Sequence, residues 1–318
     1  MGAGPASKNE CPSVSPVLST QPSRLMSYLI IGGTGTVGKD VVAGLLQHTD
    51  SPVRVLTRSE KHAEKLPDGA TAVIGDLEDP STYEKIFAGT DRLFLLNPVS
   101  MTELHQGLAA VNEANRSGVQ HVVYLSVHDA ETIPSAPHIA SKVAVEHALK
   151  ESGLPYTILR PNNFYQNDYW YEDAIRTQGI YPQPIGTRGL SRVDTRDVAQ
   201  AAVNAFTQSG HENKTYALVG PDILTGPDCA EIYADLLGRD VQYAGDDLDA
   251  WQAQARSMLP EWMAYDFRLM YAAFQEKGLI ATDAQQKETR AILGTQPRSF
   301  RRFAEEIVEQ WQERPTRA

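Results

Sequence analysis

Tyr28-Leu29-Ile30-Ile31-Gly32-Gly33-Thr34-Gly35-Thr36-Val37-Gly38 is an apolar strand that runs straight into a glycine-rich turn, and residues 37–46 continue it as a helix. Gly33, Gly35 and Gly38 fit the spacing G-x-G-x-x-G, while Gly32, Gly35 and Gly38 fit the wider G-x-x-G-x-x-G. A tight turn needs positive φ, and a pyrophosphate needs backbone approach with no Cβ in the way. The following helix N-terminus then offers free N–H groups to the anion. The backbone from Gly32 through Gly33, Thr34, Gly35, Thr36 and Val37 to Gly38 therefore reads as a diphosphate cradle. A nucleotide-cofactor protein is the leading reading.

Working outward from this turn, strand-like segments at 28–31, 53–57, 72–74, 92–96, 121–126 and 156–159 alternate with helix-like ones at 37–47, 60–66, 81–87, 102–117 and 139–152. That alternation predicts an α/β fold, a doubly wound parallel (Rossmann) sheet with covering helices. After Pro161 the texture changes to an aromatic run and then a Pro/Gly-rich stretch ending near Gly189. A strand at 190–194, a helix at 196–206 and a strand at 215–219 follow, and from 225 onward helices dominate. The expected division is a dinucleotide-binding domain at 27–170 and 190–221, with a smaller, mainly helical substrate-covering part at 171–189 and 222–318. Residues 1–26 are rich in Ser, Pro, Gly and Thr and predict a disordered tail, with Met26 an alternative start. Ala6 breaks the myristoylation pattern that Met1-Gly2 begins.

With 29 basic against 40 acidic residues in a chain of 318, the net charge is -11, which argues against a broad nucleic-acid partner. No apolar run approaches the ~20 residues of a membrane span. The two cysteines, Cys11 and Cys229, are far apart and make no metal-like spacing, so a reducing, cytoplasmic setting and no metal are expected. A small-molecule substrate is the expected partner, with a homodimer left open.

Several polar residues stand at strand ends, where ligands of such sheets sit. At the end of the second strand an acid would bind a ribose 2′-hydroxyl, but the sequence is Val55-Leu56-Thr57-Arg58. Arg58, with Lys61 nearby, suits a 2′-phosphate and favours NADP(H) over NAD(H). Its other reading is a solvated cation. Asp76, followed by Leu77, reads either as an acceptor for the adenine amine or as a turn acid. Asn97 and Ser126 lie where the nicotinamide end should pass, though both are also ordinary turn residues. His138 and Lys142, four apart, share a helix face. Lys142 reads as a ribose ligand and source of positive charge, or as a snorkelling surface residue, and His138 as a proton relay or a structural histidine. Glu146 and Lys150 read as a solvent-facing pair, and Asp194 and Asp197 as helix-capping acids.

Taken together, the glycine turn, Arg58, Gly75-Asp76-Leu77, Ser126, Lys142 and Leu159-Arg160-Pro161-Asn162-Asn163-Phe164 resemble, in order, the NmrA-like group of atypical short-chain dehydrogenases/reductases. The resemblance covers residues 27–220, and beyond them rests on a loosely similar helical layout. Similar members include NADPH-dependent quinone, azo-dye and triphenylmethane-dye reductases. Ordinary short-chain dehydrogenases carry a Tyr four residues before the Lys. Here His138 stands in that place, as in some NmrA-like relatives, which argues against a simple ketone/alcohol dehydrogenase. The resemblance also implies that Phe164, Tyr165, Tyr169 and Trp170 border the substrate pocket; their other reading is that they pack the cap helices onto the sheet.

The expected function is thus an NADPH-dependent reductase that transfers hydride to a planar, electron-poor small molecule such as a quinone or conjugated carbonyl. A dinucleotide-binding redox sensor that regulates a protein partner with little turnover is the alternative. A nucleotide-using epimerase or imine reductase stands behind both.

Overall fold

In the computed structural model, which describes residues 1, 2, 4 and 25–313, the strands run in chain order as β1 (Tyr28–Ile31), β2 (Val53–Thr57), β3 (Ala70–Ile74), β4 (Arg92–Leu95), β5 (His121–Leu125), β6 (Tyr156–Pro161), β7 (Ile180–Tyr181), β8 (Lys214–Leu218) and β9 (Gln242–Tyr243). Seven of them form one parallel sheet in the order β3-β2-β1-β4-β5-β6-β8, and β7 and β9 pair as a small ribbon. The order reverses between β1 and β4, the switch point at which doubly wound sheets bind ligands. The expected tail at 1–26 lies largely outside the described residues.

Among the described residues there are eleven α-helices: α1 (Thr36–His48), α2 (Glu60–Ala63), α3 (Tyr83–Phe87), α4 (Glu103–Arg116), α5 (Pro137–Glu151), α6 (Thr195–Thr207), α7 (Gly226–Leu237), α8 (Leu248–Ala255), α9 (Glu261–Lys277), α10 (Asp283–Leu293) and α11 (Phe300–Glu313). Alternate residues of each strand point to opposite faces, so a sheet covered on both sides needs continuous apolar strands. Ile30 of β1 packs with α1, α6 and the end of α10, through Val41, Val203 and Ile292. Its neighbours Leu29 and Ile31 pack with α3, α4 and α5, through Phe87, Val111 and Val145. A third core joins α7, α9 and α11 to the aromatic segment after β6, around Tyr165, Tyr233, Phe274 and Phe300. Within this third core Arg192 is wholly buried and donates to Asp168 at 2.8 Å.

The edge strand β8 does not present a free backbone. Thr289 of α10 accepts from Val219 N–H (3.1 Å) and donates to Ala217 O (2.8 Å), and Glu288 accepts from Ala217 N–H (3.2 Å). Side chains of a helix thus take the place of an eighth strand, a common way of blunting an edge.

Two expectations change. Residues 190–194 form no strand, because Leu190 bridges to Leu224 and Leu279 and Val193 to Phe164, each a single contact with a different segment. Glu146, expected at the surface, is 2% exposed, because Arg160 of β6 reaches it with Nε (2.9 Å) and Nη2 (2.6 Å) while Lys150 approaches from outside. Burial pushes the Glu146 carboxyl up, but the hydrogen bonds and charge of Arg160 outweigh this and hold it below its ordinary value. Among the described residues no helix is long and apolar enough to cross a membrane.

Candidate active site

The glycines of the first turn differ in what requires them. Gly32 has φ +80°, and a Cβ there would meet Leu96 O at 2.5 Å. A Cβ on Gly38 would lie 2.1 Å from Gly32 O, and one on Gly33 would lie 2.6 Å from Val55 Cγ1. These three are demanded by close packing: Gly32 against the end of β4, Gly33 against β2, and Gly38 of α1 against the turn itself. Gly35 is not, since its Cβ would find only Gly32 O at 3.4 Å, an ordinary contact. It is the exposed N-cap of α1, which has no side-chain cap and no acid in its first turn. The leading N–H groups there, beside exposed Thr34 and Thr36 and buried Val37, are left for an anion.

Beyond β2, Arg58 is exposed and has no hydrogen-bond or ion-pair partner among the described residues; Lys61 is exposed nearby. Asp76 instead shows its turn role. Its Oδ1 accepts from Glu78 N–H (2.9 Å), and its carbonyl accepts from Thr82 Oγ1 (2.9 Å). Leu77 is buried, and its carbonyl accepts from Tyr83 OH (2.7 Å).

A cavity of about 220 Å³ opens over the ends of β4, β5 and β6. Asn97, Ser126, His138, Lys142, Asn162 and Asn163 supply its polar wall, and Phe164, Trp170, Phe267, Met270 and Phe274 are among its apolar residues. Asn97 is 2% exposed, yet neither its Oδ1 nor its Nδ2 has a protein partner. A buried amide unpaired at both atoms is costly unless a ligand pairs with it. Asn162 is satisfied within the protein, as it donates to Leu279 O (2.8 Å) and pairs with His128.

His138 and Lys142 do share one face of α5, and each meets an acid that the sequence reading missed. His138 Nδ1 lies 2.7 Å from Asp266 Oδ1, and its backbone N–H donates to Asp266 Oδ2 at 3.1 Å. An ionised carboxylate only accepts, so Nδ1 carries the proton and Nε2 is the ring nitrogen left for chemistry. Lys142 Nζ donates to Glu103 Oε1 at 2.7 Å, with both side chains buried, so it does not snorkel. An ammonium has three donors and Glu103 takes one, which leaves two for ligand hydroxyls. Asp266 stands between Tyr265 and Phe267 on α9, and an acid embedded in an aromatic run is the signal that marks it.

The aromatic run divides. Phe164 and Trp170 line the cavity, but Tyr165 and Tyr169 do not. Tyr165 is fully buried against Phe300 and Phe303 and donates to Arg298 O, whereas Tyr169 is 45% exposed and touches Phe303. Residues 165–171 wind as a 3-10 helix, whose three-residue turns send neighbouring rings to different sides. Asp194 caps α6 by accepting from Arg196 N–H, and Asp197 accepts from Arg298 N–H, so both are structural. Among the described residues no group of His, Cys, Asp and Glu could hold a metal ion.

The residues present fit a nicotinamide dinucleotide. Gly35 leaves room that packing does not need, Arg58 is unpaired, and Asn97 is buried without partners. Sheet, turn and cavity together define a dinucleotide-binding α/β protein. The chain belongs to the NmrA-like family, whose family model matches residues 27–304. It is 34% identical to the NAD(P)H azoreductase of Xenophilus azovorans over 248 residues, 77% of this chain and 86% of that protein. It is 30% identical to the (4-alkanoyl-5-oxo-2,5-dihydrofuran-3-yl)methyl phosphate reductase of Streptomyces griseus over 282 residues, 88% of this chain and 98% of that one. The crystal structure of an NADPH-dependent quinone oxidoreductase from Escherichia coli, complexed with NADPH, superposes with a TM-score of 0.80 at 22% identity, covering 88% of this chain and 99% of that chain. At that identity the likeness is one of fold.

Proposed function

We propose that this protein is an NADPH-dependent reductase of planar, electron-poor small molecules, quinone-like or conjugated. The observation that carries this reading is the cavity at the strand ends, where unpaired Asn97, Lys142 and His138 face apolar and aromatic side chains. Relatives that are reductases by name, one of them an azoreductase, support it.

The N-terminus of α1 and Gly35 hold the diphosphate, and Arg58 pairs with the 2′-phosphate. Lys142, fixed by Glu103, offers its two remaining N–H donors to the nicotinamide ribose, and Asn97 binds at the nicotinamide end. When bound, the reduced nicotinamide supplies a hydride. Phe164, Trp170 and Phe267 exclude water and align a flat acceptor. A quinone that takes up the hydride needs one proton to become a hydroquinone, and Nε2 of protonated His138 is placed to give it while Asp266 balances the charge. Residues 171–189 and 222–318, apart from α10 with its contacts to β8 and α6, serve in this reading as the substrate-covering part. A cytoplasmic setting, a small-molecule substrate as the only partner and an optional homodimer complete it.

The test is NADPH consumption, followed by absorbance, against a panel of small quinones. Arg58→Ala should weaken NADPH binding by about 10- to 100-fold, the ~1.5–3 kcal/mol of a charged hydrogen bond, and leave NADH binding unchanged by calorimetry. Tight NADPH binding with no turnover of any acceptor would favour the redox sensor instead.

A further inference from the structure

Arg192 belongs to the bridging segment at 190–194, is wholly buried, and has a partner on each side of its guanidinium. Nη1 donates to Tyr181 OH (2.9 Å) and reaches Cys229 Sγ (3.5 Å), while Nη2 donates to Asp168 Oδ1 (2.8 Å) and Phe164 O (2.8 Å). Nε donates to Asn163 Oδ1 at 3.0 Å, so all five N–H donors are used. The rings of Phe300 and Tyr165 lie against the same group, their centroids 5.2 and 5.8 Å from Cζ. A guanidinium held at every donor cannot turn, and whatever it grips is fixed with it.

Asn163 lines the cavity at the strand ends. Arginine has donors only, so the atom of Asn163 that faces it is the amide oxygen. The backbone of Asn163 is occupied too: its N–H donates to Asn162 Oδ1 (2.8 Å), and its carbonyl accepts from Val193 N–H (2.9 Å). Only Nδ2 has no partner among the described residues. Unlike Asn162, Asn163 is just half-buried, so this NH₂ is the polar group it brings to the cavity. A cation on the oxygen polarises the amide and strengthens its N–H donors. The amide of Asn167 lines the same cavity but is held by nothing, and can present either end.

We propose that Asn163 selects the acceptor: its Nδ2 donates to a carbonyl oxygen of the bound molecule, and Arg192 is the positioning residue that keeps this end of the amide inward. An acceptor that puts a methylene or an ammonium at this point is disfavoured, because the donor is then left unpaired. The proposal narrows the reductase reading and rests on it for the chemistry, but the contact is read by binding alone.

The probes are 1-indanone and indane, which differ by one oxygen in place of two hydrogens, titrated by calorimetry into NADP⁺-loaded full-length protein. NADP⁺ carries no hydride to give, so the ketone is not reduced. Asn163→Asp keeps an acceptor for Arg192 and removes only the donor. It should lower the ratio of 1-indanone to indane affinity by about tenfold, the cost of an unpaired polar group. NADP⁺ affinity should stay at the wild-type value. Asn163→Ala, which also strips Arg192 of a partner, should lower both the ratio and the melting temperature. A purely structural Asn163 predicts the wild-type ratio in Asn163→Asp, and that result overturns the proposal. So does a ratio that only Asn167→Asp lowers, because the unheld amide then binds the oxygen. Failure of the reductase reading shows separately, as no NADPH consumption with any quinone while the titrations still report on Asn163.

Discussion

Asp266 grips His138 at two points, ring and backbone, so the imidazole can neither flip nor change tautomer cheaply. Asp266→Asn keeps the shape but replaces one acceptor with a donor. Quinone reduction should fall by about 100-fold in kcat, the low end of the ~10²–10⁴ range of general acid–base catalysis. NADPH affinity should be unchanged. Unaltered steady-state kinetics would place the proton donor elsewhere. The glycines allow a paired test. Gly35→Ala should leave the melting temperature near wild type and weaken NADPH binding by about tenfold or more, ~1.4 kcal/mol, because the added methyl holds the diphosphate off the backbone. Gly38→Ala should instead cost about 3 kcal/mol or prevent folding, because its methyl enters the Gly32 carbonyl. Thermal melts and calorimetry on both variants separate the two roles. The places of the glycines and Arg58 were legible from strand–turn–helix spacing, and the shared helix face of His138 and Lys142 from their four-residue separation, whereas Asp266 and Glu103 were not. Each meets its partner from a remote element; the aromatic run around Asp266 marks that acid as unusual, but no local pattern says which residue it meets. Which of the four aromatics would line the cavity and which would pack was not legible, because composition cannot say which way a 3-10 turn aims each ring.

At the scale of elements, the alternation of strands and helices showed the sheet. What it hid was how single residues can bridge without making a strand, as Leu190 and Val193 do. It also hid the lock between β6 and α5, where Arg160 lies over Glu146 and Glu131 of the preceding turn. The folded-state pKa of Glu146 is depressed, so its contribution to stability is present above the ordinary carboxylate value of ~4.3 and lost as pH falls through the lower folded value. Glu146→Gln should destabilise the protein at pH 7 by about 3 kcal/mol, as expected for a broken buried pair. It should also lose part of the acid sensitivity that the wild type shows below about pH 4. Denaturant melts at the two pH values decide this.

The whole molecule carries a second acid-sensitive point outside the site. His121, at the start of β5, is 2% exposed, and Nε2 lies 2.9 Å from Thr157 Oγ1, whose own proton goes to His211 O. Burial first, and then the charge of Arg92, lower its pKa to about 4. Between that value and the unfolded ~6.5 the unfolded chain binds more protons, so stability rises with pH across the window. About 3 kcal/mol should be lost on acidifying from pH 7 to pH 4, at ~1.4 kcal/mol per pH unit. His121→Gln, which can still donate to Thr157, should flatten that part of the curve. A His121 variant with the wild-type pH slope would show that the proton binds elsewhere.

Chain order and spatial layer part company near the end of the protein. After α9 the chain leaves the core shared by α7 and α9, lays α10 along β8 and α6, and only then returns to that core as α11. No single cut frees that core from the sheet. A chain stopped after residue 277 would lose more than a lid, because Ala217 and Val219 would be stripped of the hydroxyl that quiets their backbone. The freed margin would become a template for sticking to other copies, so the last forty or so residues guard solubility as much as they shape a pocket.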